Sequence, residues 1–288
     1  MIILLLNAFA NGILYGGVLA LLAFGMNLIF GVLNVIHLAY GQCVMVGLYV
    51  IYVLTVMLGI PLLLSCLIAI AVSSILGVLI HLLTVRPLLK AQLLNQLIAL
   101  VGVMIVLENL ALAIFGGDFL AIQLIFPVFS VGNVFIKISM LIPFVCSIVT
   151  LAFLWLFLNK TYTGLAIRAV VQDTETASLM AINTKRIYLI TFVIGGILSG
   201  IAAACLAPIY SVHPHFGSAF TLTAFVIVVV GGCGNLVGGF IASFIIGIIS
   251  QVGGVIFTTE IGELLVYVIL MLVILFRPQG LLGVRVKA

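Results

Sequence analysis

Charge is what this sequence has least of. Its 288 residues include ten Lys plus Arg and six Asp plus Glu. Soluble domains carry about 25% charged residues, and sixteen such side chains cannot coat a water-soluble particle of this size. That excludes a cytosolic enzyme, a secreted domain and a disordered tail. Long polar stretches are also missing, so the chain is not a soluble domain on a single anchor. The five cysteines (Cys43, Cys66, Cys146, Cys205 and Cys233) are odd in number, lie in apolar segments and form no CxxC pair. They read as small buried hydrophobes, with no disulfide framework and no metal site expected. The five lysines follow Leu, Ile, Asn, Thr and Val, so no Gly-Lys phosphate loop exists. GxSG and HExxH are absent, and the two aspartates, Asp118 and Asp173, are placed on opposite sides of any membrane. The chain is expected to be no enzyme and to hold no cofactor of its own. The net charge of +4 sits in a few short loops, which is an orientation signal and not a nucleic-acid surface.

What is present is apolar. The sequence is 66% hydrophobic with mean hydropathy +1.56. Continuous runs such as IPLLLSCLIAIAVSSILGVLI at 60–80 lack the alternation of a membrane β-barrel. The expectation is an all-α integral membrane protein: a polytopic helical bundle of about eight or nine spans, each of about 20 residues, with glycine-broken segments, forming one domain over 1–288. Spans are placed at roughly 3–24, 35–57, 60–82, 96–115, 139–158, 187–208, 221–232, 236–257 and 264–276. The segment 221–232 is short and pairs with the start of 236–257 as a re-entrant or broken element. MIILLLNAFANGILYGG has no basic region before its apolar run and reads as a retained first span. Arg86 and Lys90, then Lys160, Arg168, Lys185 and Arg186, then Arg277, Arg285 and Lys287 share one side under an odd number of crossings. By the positive-inside rule that side is cytoplasmic, which puts the N-terminus outside and the C-terminus inside.

Two loops carry local signals. The outer loop 116–138 is β-branched, with Pro127 and a Gly132-Asn133 pair, and reads as a short surface hairpin or an irregular loop. The loop 159–186 is expected to form one or two short amphipathic helices. Their apolar face comprises Leu165, Ile167, Ala169, Val171, Leu179 and Met180, with a second turn starting at Thr174 or Thr176 and a break at Asn183.

Polar residues within spans are costly and often functional: Asn27, Asn34, His37, Gln42, His81, Glu108 and Asn109. Two glycine-rich stretches stand out, 24–41 and GGCGNLVGG at 231–239 with Gly231, Gly232, Gly234 and Asn235. Broken segments of this kind mark translocation sites, but the same glycines serve close helix packing. Glu108 and His37 divide in the same way between a pathway group and a buried helix–helix contact. His81 reads as interfacial. His213 and His215 show no third metal ligand.

Four stretches give a closer likeness: GMNLIFGVLNVIHLAYGQCVMVGLYV at 25–50, TGLAIRAVVQDTETASLMAIN at 163–183, AFVIVVVGGCGNLVGG at 224–239 and RPQGLLG at 277–283. Together they resemble the permease subunits of ATP-driven (ABC) importers for branched-chain amino acids, a group that also includes urea and short-amide permeases. The resemblance implies a bacterial-type inner-membrane location, a second permease subunit, two cytoplasmic ATP-binding subunits that carry ATP and Mg, and an extracytoplasmic solute-binding protein. It also implies that 164–183 is the ATPase-coupling element, with Gly164, Arg168, Asp173, Ala177 and Asn183 matching the family pattern in docking roles. The pathway candidates become Asn27, Asn34, His37, Tyr40, Gln42, Glu108, Gly231, Gly232, Gly234 and Asn235. The family usually reads Asn-x-Ala-His-Gly with an acid next, where this chain has His37, Tyr40 and Gln42. The rival reading is a self-sufficient secondary transporter or channel, for which Glu108 is the one strong coupling group.

Overall fold

A helix of about 20 apolar residues satisfies all its backbone polar groups internally, so it can stand in hydrocarbon. The computed structural model describes residues 1–122, 128–131, 134–277 and 279–282. Among them, eight helical stretches are long and apolar enough to cross a bilayer. These are α1 (Ile2–Leu33), α2 (Tyr40–Tyr52, continued by a π-helical turn Val53–Met57) and α3 (Leu62–Ile80), which runs through the π-helical turn His81–Val85 into α4 (Arg86–Leu88). The others are α5 (Leu93–Phe115), α6 (Ile138–Lys160), α9 (Thr184–Leu206), α11 (Leu236–Ile256) and α12 (Thr259–Phe276). Between α6 and α9 lie α7 (Tyr162–Gln172) and α8 (Thr174–Leu179), and α10 (Phe216–Gly231) precedes α11. At 16 residues α10 is shorter than a full crossing, as its composition predicts. The two strands β1 (Val128–Val131) and β2 (Val134–Lys137) pair antiparallel with Val128 opposite Lys137, so the expected hairpin forms. Pro127, Gly132 and Asn133 lie outside the described residues.

The bundle is built around α1, of which 83% of the spanning window is buried, against 11% for α5 and for α12. The outer helices present Leu94, Ile98, Ile105, Trp155, Leu264 and Met271 outward. Such a surface would aggregate in water and is the ordinary wall of a lipid-facing bundle. The central contacts are made by small residues. In the antiparallel pair α1/α11, a Cβ on Gly12 would come within 2.7 Å of Ile248 Cα, and one on Gly16 within 2.7 Å of Phe244 Cα. In α3/α9, a Cβ on Gly196 would meet Ser74 Cα at 2.6 Å and one on Gly200 would meet Ile70 Cα at 2.5 Å. With lipid as apolar as the side chains, this close backbone approach is what holds helices together. Hydroxyls add cross-helix bonds: Ser73 donates to the Cys43 carbonyl (3.3 Å) and Ser74 to that of Val193 (3.3 Å).

These registers define two ends. The C-termini of α1, α4, α6, α10 and α12 meet the N-termini of α9 and α11 at one end, which carries Arg86, Lys160, Lys185, Arg186 and Arg277. The N-terminus of α1 lies at the opposite end. There, residues 116–122 are tied to 207–215 by paired backbone bonds between Leu120 and Val212 (2.9 and 2.8 Å). The described basic residues therefore do share one end, and α10 makes the return that the parity of crossings requires; Arg285 and Lys287 lie outside the described residues.

One expectation needs correcting. The stretch 24–33 is continuous helix, and the interruption falls at Asn34, which sits in the left-handed region (φ 54°). Residues 34–39 are non-helical, so the second span starts at Tyr40 and not at 35. Gly25 and Gly31 do not break α1; they admit neighbours. A Cβ on Gly25 would strike the Tyr40 ring, and one on Gly31 would approach Gly234 Cα at 2.6 Å.

Candidate functional site

Non-helical backbone deep in a membrane protein must find partners in the protein itself. The two junctions, 34–39 and 232–235, do so differently. At the second, Asn27 of α1 forms a clasp: its Nδ2 donates to the Asn235 carbonyl (2.8 Å) and its Oδ1 accepts from the Gly234 N–H (2.8 Å). Gly232 (φ 104°) and Gly234 (φ 80°) take backbone conformations that side chains disfavour. Asn235 then caps α11 by accepting from the Gly238 N–H (3.0 Å), while its Nδ2 donates to the Leu282 carbonyl (2.7 Å). Two residues beyond α12 are laced to the end of α10: Leu281 N–H donates to the Val230 carbonyl (2.8 Å) and Leu282 N–H to that of Gly231 (3.2 Å). Asn27, Gly231, Gly232, Gly234 and Asn235 are thus one assembly at the basic end.

The first junction runs through the centre. Val35, His37 and Ala39 are buried, and backbone bonds from Leu38 to Ile36 and from Tyr40 to His37 (3.0 Å each) curl the chain into α2. Gly41 N–H donates to Thr221 Oγ1 (3.0 Å), and the Thr221 hydroxyl donates to the Gly217 carbonyl (2.8 Å), which joins α2 to α10. His37 Nδ1 and both polar atoms of the Gln42 amide are buried without a hydrogen-bond partner. His37 packs edge-on to Tyr40 and against Phe192, with ring centroids 6.0 and 5.4 Å away. Asn34 stands at the entrance of this junction as the C-cap of α1, its N–H donating to the Phe30 carbonyl (2.8 Å).

Glu108 stands apart from both junctions. It lies on α5 and pairs with His215, in the segment leading into α10. His213 packs against Phe119 and Phe216. Among the described residues, no group of three or more His, Cys, Asp or Glu is placed to hold a metal.

The loop 159–186 is two capped helices. Thr161 Oγ1 accepts from the Gly164 N–H (3.0 Å) to start α7. Asp173 Oδ1 accepts from the N–H groups of Glu175 (2.9 Å) and Thr176 (3.1 Å), and its Oδ2 from the Thr176 hydroxyl (2.6 Å), to start α8. The bonds from Thr176 hold the Asp173 carboxyl below its ordinary pKa. Asn183 Oδ1 accepts from the Arg186 N–H (3.2 Å) and starts α9. Gly164 presses on the Phe157–Leu158 backbone, Ile167, Val170 and Ala177 are buried, and Arg168 donates to Asn159 Oδ1 (2.8 Å). Tyr162, Leu165, Val171, Leu179 and Met180 point outward. The seam against the bundle is therefore Gly164, Ile167 and Val170, and a second apolar face is left free.

Sequence reasoning missed a cavity of about 450 Å³ toward the opposite end, between α1, α6, α10, α11 and α12. Tyr15, Tyr210, Thr223, Gln251, Glu263 and Tyr267 supply its polar groups; Leu19, Met140 and Val266 supply apolar wall. Five separate elements contribute, so no local pattern announces it.

A family model described as the branched-chain amino acid transport system permease component matches residues 8–275. The chain is 31% identical to the high-affinity branched-chain amino acid transport system permease protein BraD of Pseudomonas aeruginosa, covering 96% of this chain and 95% of BraD. It is 30% identical to LivH of Escherichia coli K12 (95% and 94%), described in the same terms. A probable LivH of Methanocaldococcus jannaschii is 29% identical (96% and 92%). Among solved structures, PsaBC from Streptococcus pneumoniae in complex with Fab shares the fold with a TM-score of 0.52 at 12% identity, covering 94% of this chain and 92% of that one. The match spans both junctions, the capped loop and the helices that carry them, and on that ground this chain belongs to the branched-chain amino acid permease family of ABC transporter subunits.

Proposed function

We propose that the chain walls the translocation pathway of an ATP-driven importer for branched-chain or related small amino acids. The full-length family match carries this reading. The basic end faces the cytoplasm and the N-terminus faces outward. Two permease subunits pair across the membrane, two cytoplasmic subunits bind ATP and Mg, and an extracytoplasmic binding protein delivers the solute. The free apolar face of α7 and α8, with Leu165, Val171, Leu179 and Met180, is the docking surface for an ATPase subunit. Caps at Thr161, Asp173 and Asn183 make this element stiff, so movement of the ATPase reaches α6 and α9 without being absorbed in loop bending. The cavity at the outer end suits an amino acid: Glu263 for the ammonium, Gln251 and tyrosine hydroxyls for the carboxylate, and apolar wall for a branched side chain. The test is uptake of labelled leucine into proteoliposomes. Accumulation is expected only with the ATPase subunits, the binding protein and ATP together. Uphill accumulation by the chain alone overturns the proposal.

A further inference from the structure

The α3/α9 cleft at the basic end holds more positive charge than the protein neutralises. It encloses about 240 Å³ and is lined by His81, Arg86, Asn183, Lys185, Arg186 and Tyr188, with leucine wall. The π-helical turn His81–Val85 ends immediately before the Arg86-Pro87 pair and lets the Arg86 N–H reach back to the His81 carbonyl. A widened turn of this kind re-aims the side chains beside it and is frequent at functional sites. Lys185 and Arg186 occupy the first turn of α9, which has no acidic residue. A helix N-terminus is already partly positive, so cations there repel it and one another unless an anion is present. Among the described residues no Asp or Glu lines the cleft, and none of its three cations is in an ion pair. His81 is 2% exposed, its Nδ1 has no hydrogen-bond partner, and it lines the same space, its ring packed on Phe192 at 4.8 Å.

We propose that this cleft binds the phosphodiester headgroup of an anionic phospholipid. Leu82, Leu89 and Leu189 line the cleft, and Leu79 on α3 and Leu83 in the π-helical turn are exposed apolar residues close by in sequence. A ligand carrying acyl chains fills both parts, whereas free phosphate leaves the leucine wall bare. Basic pockets between membrane helices at the cytoplasmic face suit such headgroups. The site is independent of the solute transported.

Native mass spectrometry of the full-length protein tests this with phosphatidylglycerol, phosphatidylcholine and inorganic phosphate as probes. Retention of phosphatidylglycerol is expected to exceed that of phosphatidylcholine roughly tenfold, the scale of one or two such cation contacts. The Arg86→Gln/Arg186→Gln double variant should lose that preference, and a Lys160→Gln/Arg277→Gln double variant, also at the basic end, should keep it. Amide exchange over 183–189 in the unaltered protein should slow with phosphatidylglycerol and not with phosphatidylcholine, a readout that needs no substitution. Equal retention of the two lipids overturns the proposal, as does equal loss in both double variants. Displacement by millimolar phosphate assigns the cleft to a free anion instead. Loss of retention once the ATPase subunits bind assigns it to a protein interface.

Discussion

The two junctions solve one problem in opposite ways. At 232–235 side chains and backbone from other elements pin the turn: Asn27 clasps Gly234 and Asn235, Asn235 caps α11, and Leu281 and Leu282 bond the end of α10. At 34–39 the backbone curls on itself, while the polar atoms of His37 and Gln42 beside it are left buried and unmet. An unmet buried polar group costs about 1–3 kcal/mol, and natural structures retain such costs mostly at functional sites. One junction is therefore pinned from outside, and the other keeps unmet polar atoms at its core. Both meet the same helix, since α10 starts beside Gly41 and ends at the clasp.

The largest effect is expected from breaking the clasp. Asn27→Leu removes both bonds and strands the Gly234 N–H, while the Asn235 carbonyl keeps its bond from the Gly239 N–H; the stranded donor and the second lost bond together should lower stability by roughly 2–4 kcal/mol, read as a fall in the melting midpoint in detergent. Gly31→Val comes next. Its side chain meets Gly234 Cα, and overpacking of this kind costs about 1–3 kcal/mol, read the same way. At the other junction the sign should reverse. Gln42→Leu removes unmet polar atoms at nearly constant shape, a change that is close to neutral or stabilising. The midpoint should hold or rise while leucine uptake falls; a clear loss of stability would dissolve the contrast. The smallest effect is in the capped loop. Asp173→Ala should speed amide exchange in α8 and leave the midpoint unchanged. Because the Asp173 carboxyl is held below its ordinary pKa, its contribution is complete above the usual carboxylate value, about 3.9, and is lost as pH falls through the lowered one. Exchange in α8 should therefore lose its dependence on residue 173 in acid.

Legibility followed sequence distance. The spans announce themselves because twenty apolar residues have one use in a lipid protein, and the shortness of α10 shows in its length alone. The start of α8 at Thr174 and the break at Asn183 were readable because the bonds that set them reach only two or three residues along the chain. The clasp was not, although both asparagines were suspected: Asn27 and Asn235 are 208 positions apart. The break in the first glycine-rich stretch was misplaced for a chemical reason. Glycine permits both chain reversal and close approach, and at Gly25 and Gly31 the second use prevails, while Asn34, able to enter the left-handed region, ends the helix. The outer cavity and the basic cleft stayed hidden because each is assembled from separate elements. His81, which reads as interfacial from its position near the end of a span, turns out to line the cleft.

The clasp also carries a consequence for biosynthesis. Asn27 emerges from the ribosome long before Gly234, and α1 finds its most extensive packing on α11. The first helix must therefore wait in the bilayer with a bare amide while five further spans and the shorter α10 are threaded. Its length and apolarity let it survive that interval alone. Any factor that shields one polar side chain in lipid would then act on this helix first.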